Sequence, residues 1–144
     1  MTLPRLALLA GCLAFFAGCA PKARQASAGE GPIMKDVSAS EFQAILSTKP
    51  EALLLDVRTP EEWQEGHLDG AVHHDYWGDE RLFALAMDAI PRDQPVLVYC
   101  AGGGRSGLTA KELIQAGHQE VYNLEDGITG WMEAGLPVVQ DPQP

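Results

Sequence analysis

Basic residues are scarce in this sequence. Ten Lys and Arg stand against 20 Asp and Glu, which gives a formal net charge of −10 at pH 7. Nucleic-acid-binding proteins carry clustered cations along one face, and no such cluster occurs in this sequence. We therefore expect no nucleic-acid partner and no general attraction to anionic membranes, and we interpret the acidity as a solvated surface.

The apolar run near the N-terminus, Leu6 to Phe16, is too short for a membrane-spanning helix. It follows Arg5 and leads into small residues that end at Cys19, which is the pattern of a secretory signal peptide. The segment resembles a bacterial lipoprotein signal, in which the cysteine after the cleavage point is lipidated. Two alternatives stay open: an ordinary cleaved signal, or lipidation at Cys12 after a shorter apolar run.

These features predict a signal peptide at residues 1–18, a lipidated flexible tether at 19–32, a folded domain at 33–139 and a disordered tail at 140–144. The tether is rich in Ala, Gly and Pro, as flexible linkers are. A lipoprotein signal implies an exported protein on the periplasmic face of a bacterial membrane. The outer membrane is favoured because Ala20, and not an aspartate, follows the lipidated position.

Cysteine is also scarce, with three residues in the chain: Cys12, Cys19 and Cys100. Cleavage before Cys19 would remove Cys12, and acylation would consume Cys19. Cys100 would then be a lone thiol in a compartment that favours disulfides. Such a thiol is either buried and inert or retained for its chemistry.

Strand-like and helix-like segments alternate after the tether, and this alternation predicts an α/β domain with a parallel sheet covered on both faces. In such folds ligands bind beyond the carboxyl ends of the strands. The five predicted strands are IMKDV (33–37), ALLLDV (52–57), GAVHH (70–74), PVLVYC (95–100) and EVYNL (120–124).

Two of the predicted helices have apolar faces that we expect to pack on the sheet. In residues 79–90 the expected inward stripe is Leu82, Phe83, Leu85, Ala86 and Ile90. In residues 106–117 the expected inward residues are Leu108, Leu113 and Ile114.

The stretch VYCAGGGRSG (98–107) places Cys100 between a buried strand and a helix, across a run of three glycines. A loop that closes onto a helix N-terminus directs several backbone N–H groups inward, and the helix dipole adds positive potential there. A thiolate is stabilised at such a point, so we expect a lowered pKa for Cys100. Arg105 adds a fixed cation at the mouth of the loop. The pattern predicts an anion-binding ring with a nucleophile at its base.

Three segments resemble the signatures of rhodanese-homology domains. They are DVRTPEEWQEGHLDGAVH (56–73), the loop YCAGGGRS (99–106), which is similar to the family's Cys-x-x-Gly-x-Arg-Ser, and VYNLEDGITGWMEAGLPV (121–138). The resemblance covers nearly all of residues 33–139. It implies the rhodanese fold, a single domain with a five-stranded parallel sheet and helices on both faces.

The resemblance also implies sulfur transfer without a metal or organic cofactor. Cys100 would take a sulfane sulfur from a donor such as thiosulfate, carry it as a persulfide and pass it to a thiol or cyanide. The implied substrate-binding residues are Arg58 and the loop residues whose backbone N–H groups would surround the persulfide, namely Ala101, Gly102, Gly103, Gly104 and Ser106; Cys100 and Arg105 are the implied catalytic residues.

The loop departs from many members of the family in having Ala101 directly after the cysteine, where a basic or polar residue is common. Gly102 and Gly104 add no side chain either. Substrate contacts must therefore come from Arg105, the backbone and neighbouring segments. The net acidity would also repel thiosulfate at long range.

Two other functions are weighed against sulfur transfer. Cysteine phosphatases and arsenate reductases use Cys-x5-Arg loops, whereas four residues separate Cys100 from Arg105 and Ser106 occupies the position of that arginine. The shorter ring fits one extra sulfur atom better than a tetrahedral oxyanion. A non-catalytic interaction module is the second alternative, and the presence of both Cys100 and Arg105 argues against it.

The residues after the second predicted strand invite structural interpretations. For Asp56 and Arg58 we favour an ion pair that holds loops together over a direct role of Arg58 in the site. Glu62 is expected to cap its helix or to pair locally. His67 is expected to fix the following turn by hydrogen bonding.

His73, His74 and Asp75 suggest a metal site, but neighbouring strand residues point to opposite faces and chelate one ion poorly. We therefore predict no metal site. Tyr76 and Trp77 follow directly and are expected to line the rim of the pocket.

Replacing Cys19 by serine should move the protein from the membrane fraction to the soluble fraction, because stable anchoring requires the acyl chains that Cys19 would carry. The measurement is fractionation of a diderm bacterium that expresses the full chain. Cys12→Ser is the matched control and should leave the protein in the membrane. Release by Cys12→Ser, or retention of the Cys19→Ser variant, would contradict lipidation at Cys19.

Overall fold

The structure, a computed structural model, describes residues 31–141; the predicted signal peptide, Cys19 and most of the tether lie outside the described residues. Strands and helices alternate from β1 to α5, as predicted. The elements are β1 (Ile33–Val37), α1 (Ala39–Thr48), β2 (Leu53–Asp56), α2 (Pro60–Glu65), β3 (Val72–His73), α3 (Glu80–Asp88), β4 (Val96–Tyr99), α4 (Gly104–Gln115), β5 (Glu120–Leu124) and α5 (Gly127–Glu133).

The five strands form one parallel sheet in the order β1-β5-β4-β2-β3. This confirms the predicted single α/β domain with a five-stranded parallel sheet. The central strand β4 is buried along its whole length, as expected of its continuous apolar run. Asp56 of β2 stands beside Tyr99 of β4 in the register. The segments that follow β2 and β4 therefore leave the sheet at the same edge.

Successive side chains of β4 point to opposite faces, and each face carries its own core. Val96, Val98 and Cys100 belong to the core packed by α3 and α4. Leu97 and Tyr99 belong to the core packed by α1 and α5. Each fully buried aliphatic side chain contributes roughly 1.5–3 kcal/mol relative to its exposed state. The two cores therefore hold β4, and with it the start of the cysteine loop, in a fixed position.

The predicted stripe on α3 is wrong in part. Phe83 and Ile90 are buried, but Leu82 and Leu85 are 66% and 57% exposed. Met87, which was not in the prediction, is buried instead. The sheet covers a single stripe with helical i, i+4, i+7 spacing, and Phe83, Met87 and Ile90 have that spacing. Leu82 and Leu85 lie beside this stripe and face outward.

Helix α4 also differs from its prediction. Leu108 was expected to face inward and is 49% exposed, whereas Leu113 is buried as predicted. The fully buried positions are Ser106, Thr109, Ala110 and Leu113, and Ile114 packs partly buried against the core, as predicted. Two polar residues are therefore buried on the inner face of the first turns: Ser106 hydrogen-bonds to the Cys100 sulfur, and Thr109 donates to the Arg105 carbonyl.

The C-terminal segment is tied to the domain beyond the predicted boundary at residue 139. Val139 forms an antiparallel bridge with His67. Gln140 donates a side-chain hydrogen bond to the Glu65 carbonyl at 2.8 Å, and Asp141 accepts one from the Trp63 indole at 2.8 Å. Residues 140 and 141 belong to the predicted tail 140–144, and these contacts join them to the domain; the boundaries of the domain and the tail stay a prediction. Residues 142–144 lie outside the described part.

Among residues 31–141, none of the helices combines the length and apolar character needed to cross a membrane.

Candidate active site

Cys100 directly follows β4, and α4 begins at Gly104, two residues earlier than predicted. Ser106 therefore lies in the first turn, where backbone N–H groups have no partner inside the helix. Gly103 occupies the N-cap position and has no side chain to accept from them. The N–H of Ser106 instead hydrogen-bonds to the Cys100 sulfur. The sulfur thus takes the place of the missing N-cap side chain.

Helix α5 fixes the orientation of the loop. The carbonyl oxygens of Cys100 and Ala101 accept hydrogen bonds from the backbone N–H groups of Ile128 and Thr129, at 2.9 and 3.1 Å. The carbonyl and N–H of one peptide unit point in opposite directions. With the Ala101 carbonyl held toward α5, the N–H of the same peptide, that of Gly102, points at the Cys100 sulfur. The first turn of α5 therefore helps to build the ring of inward amides.

Two opposing effects act on the pKa of Cys100. Burial raises it, because the residue is 2% exposed. The Ser106 hydroxyl, 3.3 Å from the sulfur, and the backbone N–H groups of Ser106, Gly102 and Gly103 lower it. The hydrogen bonds prevail, and the pKa of Cys100 falls below the ordinary value. The structure thus agrees with the predicted direction.

The three loop glycines are not equivalent. Gly103 has φ +87°, and a Cβ there would lie 1.8 Å from the Glu125 carbonyl oxygen. Gly102 and Gly104 have ordinary φ values, and a Cβ at either would meet nothing within 4 Å. Gly103 is therefore required by the backbone, whereas Gly102 and Gly104 leave open space. A Cβ at Gly127 (φ +57°) would collide with Ala101 at 2.3 Å, so this glycine allows α5 to approach the loop.

Arg105 is held by two groups that come from the other side of the site. Its guanidinium donates two hydrogen bonds to the Glu62 carboxylate, both at 2.7 Å. The indole ring of Trp77 lies over the guanidinium, with 4.1 Å between the guanidinium carbon and the ring centroid. The hydrogen bond to Glu62 raises the pKa of Arg105, with a further contribution from Cys100, so the group stays charged.

Glu62 is a site residue whose partner the sequence did not reveal. It closes a capping box with Thr59, so the predicted cap on α2 is confirmed. Its long-range partner is Arg105, 43 residues away, and this pairing lowers the pKa of Glu62 to about 2. The Thr-x-x-Glu spacing predicts the cap, but no local pattern indicates the contact with Arg105.

Arg58 is 4% exposed and engaged on all sides. It forms the predicted ion pair with Asp56, with 2.7 Å between Nη2 and Oδ2, and donates to the carbonyls of Glu62 and Gly66 at 3.0 and 2.7 Å. These contacts tie the end of β2 to α2. They support the structural role that we favoured; a direct contact of Arg58 with substrate stays a prediction.

The histidines of the first signature take part in local packing. His67 stacks on Trp63, with 3.5 Å between ring centroids, and its Nδ1 lies 3.4 Å from the Trp63 carbonyl. His73 lies 2.7 Å from the Arg58 carbonyl through Nε2. Within residues 31–141 no three His, Cys, Asp or Glu side chains come close enough to hold a metal ion.

Tyr76 and Trp77, the two predicted rim residues, lie in different places. Trp77 covers Arg105 and is 67% exposed, so it lies at the mouth of the site. Tyr76 points toward α3 and α4: its hydroxyl donates to Glu112 of α4 at 3.3 Å, and its ring packs edge-on against Phe83 of α3. It lines a groove of about 770 Å³ between α3 and α4 that does not include Cys100. Of the two residues, Trp77 belongs to the site.

The model of the rhodanese-like domain family matches residues 38–134. That match covers strands β2 to β5, the cysteine loop and the Glu62–Arg105 pair, and the chain belongs to this family.

Relatives of known name support the assignment. The chain is 32% identical over 107 residues to a sulfurtransferase of Allochromatium vinosum, which covers 74% of this chain and 96% of that protein. It is 35% identical over 103 residues to the thiosulfate sulfurtransferase GlpE of Vibrio cholerae, covering 72% and 91%. The crystal structure of a rhodanese-related protein from Thermoplasma volcanium superposes with a TM-score of 0.62 at 27% identity, covering 74% and 99%.

A further relative carries a different activity in its name. The chain is 36% identical over 99 residues to a tRNA uridine(34) hydroxylase of Protochlamydia amoebophila. The match covers 66% of this chain but 31% of the hydroxylase. The similarity therefore concerns one part of a much longer protein.

The unequal demands on the loop glycines can be tested by alanine substitution. Gly103→Ala should lower the free energy of unfolding by at least about 2 kcal/mol and raise the Cys100 pKa, because the positive φ and the clash with Glu125 displace an amide from the sulfur. Gly102→Ala, the matched control, should stay within about 0.5 kcal/mol of wild type. Urea unfolding and the pH dependence of Cys100 alkylation measure the two effects. Equal effects at both positions would contradict this account.

Proposed function

We propose that this protein is a sulfurtransferase that carries sulfane sulfur as a persulfide on Cys100. The observation that supports the proposal most strongly is the arrangement of Ser106, Gly102 and Gly103 around the sulfur, which lowers the Cys100 pKa. A thiolate is the nucleophile that such a transfer requires. Two relatives are named as sulfurtransferases, which is consistent with this chemistry.

In the first step the Cys100 thiolate attacks the outer sulfur of a donor such as thiosulfate. A new S–S bond forms to Cys100, the donor's S–S bond breaks, and its electron pair leaves with sulfite. Negative charge then resides on the outer sulfur of the persulfide. The same N–H groups and the first turn of α4 stabilise that charge without reorganising. The loop therefore lowers the activation barrier of persulfide formation.

In the second step an acceptor thiolate, or cyanide in an assay, attacks the outer sulfur. The S–S bond of the persulfide breaks and its electron pair returns to Cys100, which regenerates the thiolate. The Ser106 hydroxyl donates to this sulfur and stabilises it as the leaving group. Protons and electrons balance in both steps without a further reagent.

Three features favour this reaction over the alternatives. The hydroxylase relatives are about three times longer than the matched region, and a net charge of −10 does not suit a tRNA ligand. A phosphatase would use an arginine where this chain has Ser106, whose hydroxyl hydrogen-bonds to the sulfur. A non-catalytic module has no need for a buried thiol with a lowered pKa.

The N-terminal pattern supports a location of the proposed reaction outside the cytoplasm. We propose that the mature protein is a lipoprotein anchored through Cys19, with its domain on the periplasmic face of a bacterial membrane. The acceptor would then be a thiol of that compartment.

Exposure of the full chain to thiosulfate should add one sulfur atom to Cys100, and later addition of cyanide should release thiocyanate. The measurements are peptide mass spectrometry and the rate of thiocyanate formation. Because the pKa of Cys100 is lowered, the rate of sulfur uptake from thiosulfate should reach its plateau at a lower pH than an ordinary cysteine, with a pKa of about 8.5, would allow. Cys100→Ser should abolish both signals, and Cys19→Ser, the control, should retain them. A folded wild-type protein that takes up no sulfur would contradict the proposal.

A further inference from the structure

The charge of Arg105 is already balanced before any substrate arrives. Both of its hydrogen bonds to Glu62 are 2.7 Å long, and they meet both carboxylate oxygens. The side chain of Arg105 is 10% exposed and that of Glu62 is 28% exposed, so water screens the pair only in part. A bidentate pair of this kind is strong and directional. The cation at the mouth of the cysteine loop is therefore paired.

Apart from the backbone amides that already face the Cys100 sulfur, the loop has no charged side chain other than Arg105 to attract an anion. Ala101, Gly102 and Gly104 supply no polar side chain, and the space beside Gly102 and Gly104 is open. Trp77 presents an exposed aromatic surface above Arg105. A donor that enters here meets backbone amides, free space and an aromatic ring.

Thiosulfate and organic persulfides differ in the charge and in the apolar group that they bring to the mouth of the site. In thiosulfate the sulfur to be transferred is bonded to a sulfonate-like group that carries full negative charge. In an organic persulfide the same sulfur is bonded to an uncharged sulfur that bears a carbon chain. A paired arginine favours the second donor, and an aromatic surface can pack against its organic part.

We propose that Glu62 neutralises Arg105 and thereby selects organic persulfides over thiosulfate as sulfur donors to Cys100. This inference rests on the proposed function and names its donor class. Glu62 acts through Arg105 and is a positioning residue. Trp77 contributes to specificity as the surface for the organic group.

The step balances without a further reagent. The Cys100 thiolate attacks the terminal sulfur of a neutral persulfide R–S–SH. The S–S bond of the donor breaks, R–S⁻ leaves with the electron pair, and Cys100 becomes Cys100–S–SH. The proton of the transferred sulfur then passes to R–S⁻ or to water, which leaves on Cys100 the same anionic persulfide that the loop amides stabilise.

The test uses Glu62→Gln in the full chain, because glutamine keeps an oxygen for the Thr59 capping contact and removes the charge. Glu61→Gln, at the exposed neighbouring position of α2, is the matched control with the same net charge. The rate at which Cys100 gains sulfur is followed by intact-protein mass spectrometry against donor concentration. The donors are thiosulfate and benzyl persulfide released in situ.

In Glu62→Gln the charge of Arg105 is no longer balanced, and Arg105 should attract the thiosulfate dianion. The half-saturating thiosulfate concentration should fall about fivefold in Glu62→Gln, the effect of about one unbalanced charge at short range, with little change in the maximal rate. Added salt should raise the half-saturating thiosulfate concentration of Glu62→Gln more steeply than that of wild type. The values for benzyl persulfide, and those of Glu61→Gln with either donor, should stay within about twofold of wild type.

A folded Glu62→Gln variant whose half-saturating thiosulfate concentration is unchanged or higher would overturn the proposal. If that variant does not fold, the wild-type protein is measured with both donors. A preference for benzyl persulfide and a weak salt dependence of the reaction with thiosulfate support the inference. A preference for thiosulfate with a strong salt dependence overturns it. Failure of Cys100 to gain sulfur from either donor would overturn the proposed function itself. Transfer from both donors without the Glu62 effect would overturn the donor selection alone.

Discussion

The hydrogen bonds from Ile128 and Thr129 to the carbonyls of Cys100 and Ala101 are the constraint on which the site depends. They hold these carbonyls toward α5, and the opposite side of the Ala101–Gly102 peptide then faces the sulfur. Gly127 makes the contact possible, since any side chain there would strike Ala101. An element more than 25 residues downstream thus orients the loop, and the lowered pKa of a buried thiol is its consequence.

The site separates two electrostatic tasks. The backbone amides and the Ser106 hydroxyl stabilise the sulfur, and they are fixed by β4, α4 and α5. The side chain of Arg105 sits at the mouth, and its charge is governed by Glu62 from α2. Ionisation of Cys100 is therefore set mainly by the fold itself. The affinity of the mouth for a given donor depends on the Glu62–Arg105 ion pair and on the exposed Trp77.

Much of this arrangement could be predicted from sequence because it is local. The strand, Cys100 and the start of a helix occur within one short stretch, and the capping boxes at Ser38 and Thr59 have recognisable spacing. The parallel sheet follows from the alternation of elements. The anion-binding ring follows from a nucleophile placed at a helix N-terminus.

Contacts between distant segments could not be predicted. The partner of Glu62 and the role of α5 depend on how α2 and α5 pack beside α4, and no periodicity encodes that. The exposure of Leu82 and Leu85 has the same origin, because apolar character alone does not say which stripe of α3 the sheet covers. The run of three glycines did not indicate which of them the loop requires. Only Gly103 among the three has a positive φ angle that requires glycine.

The most direct test of the account is a pH titration of the ultraviolet thiolate absorbance of the full chain, with Cys100→Ser as the blank. The account predicts a midpoint for Cys100 below that of free cysteine, about 8.5, and an upward shift when Ser106 is replaced by alanine. A wild-type midpoint at or above that of free cysteine would show that burial prevails over the inward amides, and would contradict the account.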